Sequence, residues 1–584
     1  MAKNIVRILD DISPSELKLR NMSRPTDGLN NMFINELGQA EKRKGYVKYN
    51  TDVIGEGSNK IVGMHRFYQQ DLTKEFLVAW NESLYKLPDT EGHVPAILQS
   101  EEETDLILTA DSDTYFVDFL NTCYIVNGAN AMMKYDLIYV RNVGITVPDA
   151  PTINIETPNI DGSLGLGTYY FKVTYVDEDG YEGNGSVASA AMTSQATPLD
   201  GIKIDIPASG DDKIITKRIY RTSVGGAIYY YDDEIPDATT THSSVKSDVT
   251  LGTELHTNHN SPPTGAQLIS KRGNRLWLGK DDDLVISQLS DVEYFPPAWF
   301  MKTGNRHKIK GMTKQLNALP IFTENSIERL IGTDEDNFEF RNAFSEKGNC
   351  AIRSLVICDN LLKYLSYDGI YYFDGTTSDI FNQRLNKYIR DNINRNFIHL
   401  SCATYFNDRY MLSYPKKPSE VPNETIVIDM KSKAISVYSY GFSCFNKWDK
   451  GELRLFGGSN TEGQVYELET VTTDNTADIA CYDKLDPLDF GIPDREKNIY
   501  SIFVKCKTST GTGLKVYYQI DDGDEASVDT PEKAVIANKD RWYRFRLPSG
   551  IRGKQLTIRP YISDAYDVIF KGYMIEFDVE ELQL

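Results

Sequence analysis

Seven histidines (His65, His93, His242, His256, His259, His307 and His399) are spread along the chain. Imidazole is the side chain best suited to move protons or hold a metal near neutral pH. His256 and His259 stand close together, but in a polar Asn- and Thr-rich linker with no third ligand beside them, so a loop is expected there. The seven cysteines (Cys123, Cys350, Cys358, Cys402, Cys444, Cys481 and Cys506) are odd in number and form no C-x-x-C pair. Buried thiols in strands are therefore expected, not zinc or a disulfide framework. Asp177-Glu178-Asp179-Gly180 and Asp281-Asp282-Asp283 offer oxygens of the kind calcium takes. Neither has EF-hand spacing, and acidic hairpin turns account for both. Gly162-Ser163-Leu164-Gly165-Leu166-Gly167 has the outline of a phosphate-cradling loop, but it runs into a strand pattern and no Lys-Ser/Thr follows, so a plain loop is expected. No G-x-S-x-G occurs, and no carboxylate pair stands out as an acid/base couple. The residue types predict no catalytic residues, no cofactor-binding residues and no metal ligands.

Two basic clusters interrupt an acidic background: Glu41-Lys42-Arg43-Lys44 and KTGNRHKIK at 302–310. Each reads either as a solvated loop or as a contact with the acidic face of a neighbouring subunit. The net charge of −21 argues against a protein that grips phosphates, which needs basic surface. It is compatible with a conduit whose walls repel nucleic acid, and equally with an acidic surface that serves solubility. No apolar run reaches bilayer-spanning length, and MAKNIVRILDD lacks a signal-peptide core, which predicts synthesis in a cytoplasm.

The elements that must position these residues read as strands. The organising stretch is 355–415. Residues 361–366 and 370–374 alternate apolar and polar around Tyr367-Asp368-Gly369, a strong hairpin signal. Ile380, Leu385, Tyr388, Ile389 and Ile393 then follow helical spacing, and 404–406 with 409–414 return to strand chemistry around Asn407-Asp408. Similar groups occur at 60–87, 115–135, 268–288, 318–331, 425–439 and 454–468. Their spacing of roughly 40–50 residues is that of propeller blades, and about six or seven are expected. With 584 residues, 36 Tyr and 24 Phe, the chain is long enough for several cores and suited to pleated, half-buried surfaces. Prolines mark an interruption at both ends, and its clean alternation (Tyr169, Phe171, Val173, Tyr175) predicts an inserted fibronectin-III-like β-sandwich. The expected organisation is all-β: 1–58, an N-terminal docking arm with the first propeller elements; 59–147, β-propeller; 148–263, the inserted sandwich; 264–480, β-propeller again; 481–584, a C-terminal β-sandwich or jelly roll.

Several segments carry a resemblance to a known family: GLNNMFINELGQAEKRKGYVKY (28–49), RGNRLWLGKDDDLVISQLSDVEYFP (272–296), LPIFTENSIERLIG (319–332), EKGNCAIRSLVICDNLLKYLSYDGIYYFDG (346–375), and 381–396 leading into YFNDRYMLSYP. Together they resemble the tail hub or nozzle proteins, including packaged-DNA stabilisation proteins, of short-tailed double-stranded DNA bacteriophages. The likeness covers 60–147 and 268–468. It implies a structural virion protein of the tail, made in the host cytoplasm and forming a homohexameric ring. The ring's acidic channel would retain the packaged DNA and conduct it during ejection, without sequence-specific binding. Implied partners are tail adaptor or portal-side ring proteins and tail fibre or spike proteins, with no membrane, and no catalytic residues come with the family. Two other readings stay open: a glycan-binding propeller for host attachment, with Trp80, Trp299 and Trp448 as aromatic platforms, and a propeller glycosidase with paired carboxylates in its funnel.

Overall fold

The computed structural model describes residues 4–8, 28–89, 92–100, 108–334, 336–343 and 345–580. The protein is all-β and its centre is a β-propeller. Among the described residues, seven four-stranded antiparallel meanders succeed one another: blade 1 (61–97), blade 2 (115–142), blade 3 (268–302), blade 4 (311–342), blade 5 (356–380), blade 6 (402–438) and blade 7 (444–468). The outer strand of blade 7 comes from the far end of the chain: Tyr46–Lys48 pairs antiparallel with Val465–Leu468. The ring is thus closed by hydrogen bonds between residues more than 400 positions apart.

What holds the blades together is apolar burial between them. Each pair of neighbouring blades shares one hydrophobic cluster: Phe76, Trp448 and Phe456 between blades 7 and 1, for example, and Phe322, Tyr364 and Phe373 between blades 4 and 5. The aromatic residues pack as tilted, edge-on and stacked rings, with Phe322 and Tyr364 tilted at centroids 5.0 Å apart and Trp448 stacked on Phe456, contacts that add to plain burial. Near the axis the inner strands crowd. A Cβ on Gly63 would come within 2.7 Å of the Thr114 carbonyl oxygen, so blade 1 approaches blade 2 only because that residue is glycine.

The 361–366 and 369–373 hairpin turns at Tyr367-Asp368, with Ser366 opposite Gly369. The helical spacing is realised as one α-helix, Gln383–Asn392, with Leu385 and Ile389 buried. Ile380 is not on it but ends the outer strand of blade 5, and Arg395–Leu400 continues as a 3-10 turn.

Residues 152–244 build three small sheets around Tyr169, Phe171, Val173, Ile204 and Ile219. They are inserted between blades 2 and 3 and fastened to both. Lys134 of blade 2 pairs with Asp179 at 2.8 Å and with the buried Glu293 at 3.1 Å, and the Glu182 amide donates to the Tyr294 hydroxyl at 2.6 Å.

After the propeller, Lys497–Thr508, Arg541–Arg546 and Val568–Val579 form one sheet, and Ile479–Asp483, Thr512–Ile520, Ala526–Val535 and Leu556–Asp564 form another. Ile502, Val504, Val516, Ile558, Tyr573 and Ile575 fill the space between them. The second sheet runs on into blade 6 through the two-residue strand Leu29–Asn30, which pairs with Val437 on one side and Tyr482 on the other. The propeller and the C-terminal sheets therefore share one continuous ladder.

The first basic cluster departs from both sequence readings. Arg43 is fully buried and makes two bonds to Asp474, at 2.7 and 2.5 Å, with its guanidinium 4.5 Å over the Tyr440 ring. Lys42, also buried, donates to the carbonyls of Asp564 and Tyr566. The cluster is an internal staple between propeller and C-terminal sheets, neither a solvated loop nor a patch for another subunit. In the second cluster Lys302 reaches Asp282 and Asp283, Arg306 reaches Asp282, and Lys308 reaches Asp281. The calcium-like turn is thereby neutralised by the chain's own cations. Asp179 and Glu178 likewise face Lys134 and Arg141.

Candidate functional site at the propeller axis

A propeller presents its first strands to the axis, so side chains at their entry points converge however far apart they lie in sequence. Here they converge on Arg353. It sits on the 3-10 turn Ile352–Ser354 that leads into blade 5. Ser354 fixes this turn by donating to the Asn349 side chain at 2.9 Å and accepting from the Leu365 amide at 3.0 Å. From this mount Arg353 crosses the axis. It donates to the carbonyl of Ser443 at 3.2 Å, before blade 7, and to that of Val62 in blade 1. It lies 3.4 Å from the Asp113 carboxylate and over the Tyr115 ring, at the start of blade 2. Lys60 meets the same carboxylate at 3.3 Å.

Burial pushes the Asp113 carboxyl up, but Arg353 and Lys60 outweigh it and hold the group below its ordinary value. Burial disfavours the charge on Arg353, yet Asp113 raises its pKa overall. His399 beside them is pushed down by burial. The result is a carboxylate fixed in its charged form among cations, a stable cross-brace rather than an acid/base couple, which requires a group poised to exchange its proton. A cavity of about 220 Å³ adjoins Arg353, lined by Tyr115, Phe116, Cys402 and Cys444 among others. Burial raises both thiols, so they are held as inert S–H groups and not as nucleophilic thiolates.

Farther along the axis His65 lies 2.6 Å from Asp118 and stacks on Phe116. With Cys123 these form the group among the described residues that could hold a metal ion, their ligand atoms lying within 4.8 Å of one another. Cys123 would have to give up a proton that burial and Asp118 retain. Nothing in local sequence marks this trio. His65 and Asp118 are brought together only by the pairing of neighbouring blades.

The other residues singled out by type and spacing stay apart in the folded chain. His256 and His259 stack on each other, and His259 on Tyr294, bonding the Glu182 carbonyl. Gly162–Gly167 is a loop packed on the inserted sheets. Trp80 and Trp448 are core residues, Trp448 stacked 3.5 Å from Phe456. Trp299 is partly buried with the Arg275 guanidinium 5.0 Å from its ring. Trp80 and Trp448 are not open aromatic platforms, because their rings are consumed in packing blades together.

No family model matches the chain, and no curated protein matches it. Among solved structures it is similar to apo AztD from Citrobacter koseri (12% identity over 72% of this chain and 97% of that one, TM-score 0.30). It is also similar to the WD40 domain of Neurospora crassa Pan2 (7% identity, 74% and 96%, TM-score 0.27). A third likeness is to the extracellular domain of the one-component system BT4673 of B. thetaiotaomicron (10% identity, 91% and 80%, TM-score 0.26). At these distances the class is a matter of fold: a β-propeller with accessory β-sheets.

Proposed function

We propose that this chain is a structural protein of a phage tail, a nozzle or hub subunit that assembles with further copies around a shared channel for double-stranded DNA. The observation that carries this reading is where the charge lies. Among the described residues nine buried lysines and arginines are matched by nine buried aspartates and glutamates. The acidic excess that gives the chain its −21 therefore sits on the more exposed residues, where it repels phosphate and lets a duplex pass without being held. The resemblance in 28–49, 272–296, 319–332 and 346–375 supports the same reading. So does the tying of the N-terminal arm into both propeller and C-terminal sheets, which makes one stiff body suited to bearing load.

Arg353 refines the proposal. Because it braces the propeller's own axis, the conduit belongs between copies of the chain and not through any single propeller. The same brace weighs against the glycosidase reading, since Asp113 is tied to cations. Particle mass and electron-microscope class averages of the purified chain, alone and with the other tail components, test the proposal. Six-fold rings with a central opening are expected. A monomer under both conditions sinks it.

A further inference from the structure

A cavity larger than the one at the axis lies away from it, between blades 3 and 4, and has a volume of about 680 Å³, within the range of small-molecule sites. Turns joining first to second and third to fourth strands build its rim, so it opens on the propeller face opposite the one that carries the blade-to-blade connections. Arg272, Arg329 and Lys314 line it, with Arg275 buried behind them on the Ser287 carbonyl and the Trp299 ring, and among the described residues no carboxylate lines it. In a chain this acidic that is the reverse of expectation.

Arg272 and Arg329 are held in place by backbone, not by countercharge. Arg272 donates to the carbonyls of Asn317 and Gly332, and its guanidinium sits 5.9 Å from the Trp277 ring and 6.0 Å from that of Phe338. Burial lowers its pKa, with no carboxylate acting in the opposite direction. Arg329 donates to the Gly375 carbonyl. Lys314 is exposed at the rim. Carbonyls orient a guanidinium without neutralising it, so positive charge accumulates in a partly desolvated cleft, the setting in which bidentate pairing with carboxylate or phosphate is strongest.

We propose that this cleft binds a compact organic anion carrying more than one carboxylate or phosphate group. The neighbouring indole and phenyl groups give it apolar walls for the ligand's carbon frame. The inference does not depend on how copies assemble.

Titration calorimetry of the full chain tests it, with digalacturonate and inorganic pyrophosphate as probes and maltose as the uncharged control. At least one anion binds, more weakly as salt is added, and maltose does not. Arg329→Gln weakens binding by roughly tenfold, and Lys314→Gln, a rim residue with no structural bond to lose, by roughly threefold. Preference for digalacturonate identifies a carboxylated saccharide, and preference for pyrophosphate a phosphorylated ligand; either sustains the proposal. Failure of both anions to bind, equal binding of maltose, or unchanged affinity in both variants overturns it. Rings that form normally without anion binding would sink this inference and leave the assembly reading intact, while anion binding by a monomer would do the reverse.

Discussion

Arg353 and Arg272 are both arginines fixed by backbone carbonyls, yet their surroundings give them opposite roles. Arg353 meets a carboxylate, Asp113, and ties four blades across the axis. Arg272 meets only carbonyls and ring faces, beside Arg329 and Lys314 in an open cleft. The difference teaches what a countercharge does here: Arg353 is spent on architecture, while Arg272, on the reading proposed above, keeps its charge for a ligand in the cleft. Buried pairs are costly to break because the abandoned partner stays desolvated, whereas removing an uncompensated cation costs little stability.

The sharpest test of the paired side of this contrast is Arg43→Ala. Its side chain is fully buried and the Asp474 side chain only 15% exposed, so the substitution strands the carboxylate at the joint between propeller and C-terminal sheets. A loss of about 3–5 kcal/mol in denaturant unfolding is expected. A cost below about 1 kcal/mol would mean that the staple is not structural.

Arg353→Ala follows, at about 2–3 kcal/mol, because Asp113 is a third exposed and retains Lys60. Cys402 and Cys444 line the adjoining cavity, so a thiol reagent should label them faster in the variant. Unchanged labelling would show that another group closes the axis.

Asp177 tests the converse case, a buried carboxylate that its surroundings do not stabilise. Burial raises it to about 6 from an ordinary 3.8, so the folded chain holds this proton more tightly than the unfolded chain. Its contribution to stability is full below the unfolded value, falls as pH rises through about 6, and is flat above. Asp177→Asn, which keeps the acceptor for the Tyr181 amide, should gain about 2 kcal/mol at neutral pH and flatten the Tm–pH curve over that window. A variant that retains the wild-type slope would assign the titration elsewhere. The smallest effect is expected one residue from the largest. Lys44 pairs with Asp567 with both side chains about 40% exposed, and Lys44→Ala should change stability by less than about 0.5 kcal/mol.

The hairpins were legible because their information is local. The Tyr367-Asp368 turn with Gly369 just after it, and the Asn407-Asp408 turn with both residues at positive φ (48° and 58°), are written in adjacent residues. The inserted sheets showed themselves through alternation at Tyr169, Phe171 and Val173, all now buried. The strands between Leu29 and Lys48 were illegible. They are two or three residues long, too short to display a period, and three of the four have partners more than 400 positions away. The candidate sites failed for the same reason. Asp113 and Arg353, His65 and Asp118, and Arg272 and Arg329 share no sequence window, so no spacing rule could join them.

The amino-acid sequence by itself determined the all-β character, the turns, the helix after blade 5 and the acidic balance, since each depends on side-chain type within a few residues. Only the tertiary structure decided what the charges do. Whether a cation is a staple, a brace or an open binding group depends on which partner the closed ring delivers to it and how much water remains, and both are settled by contacts between distant blades.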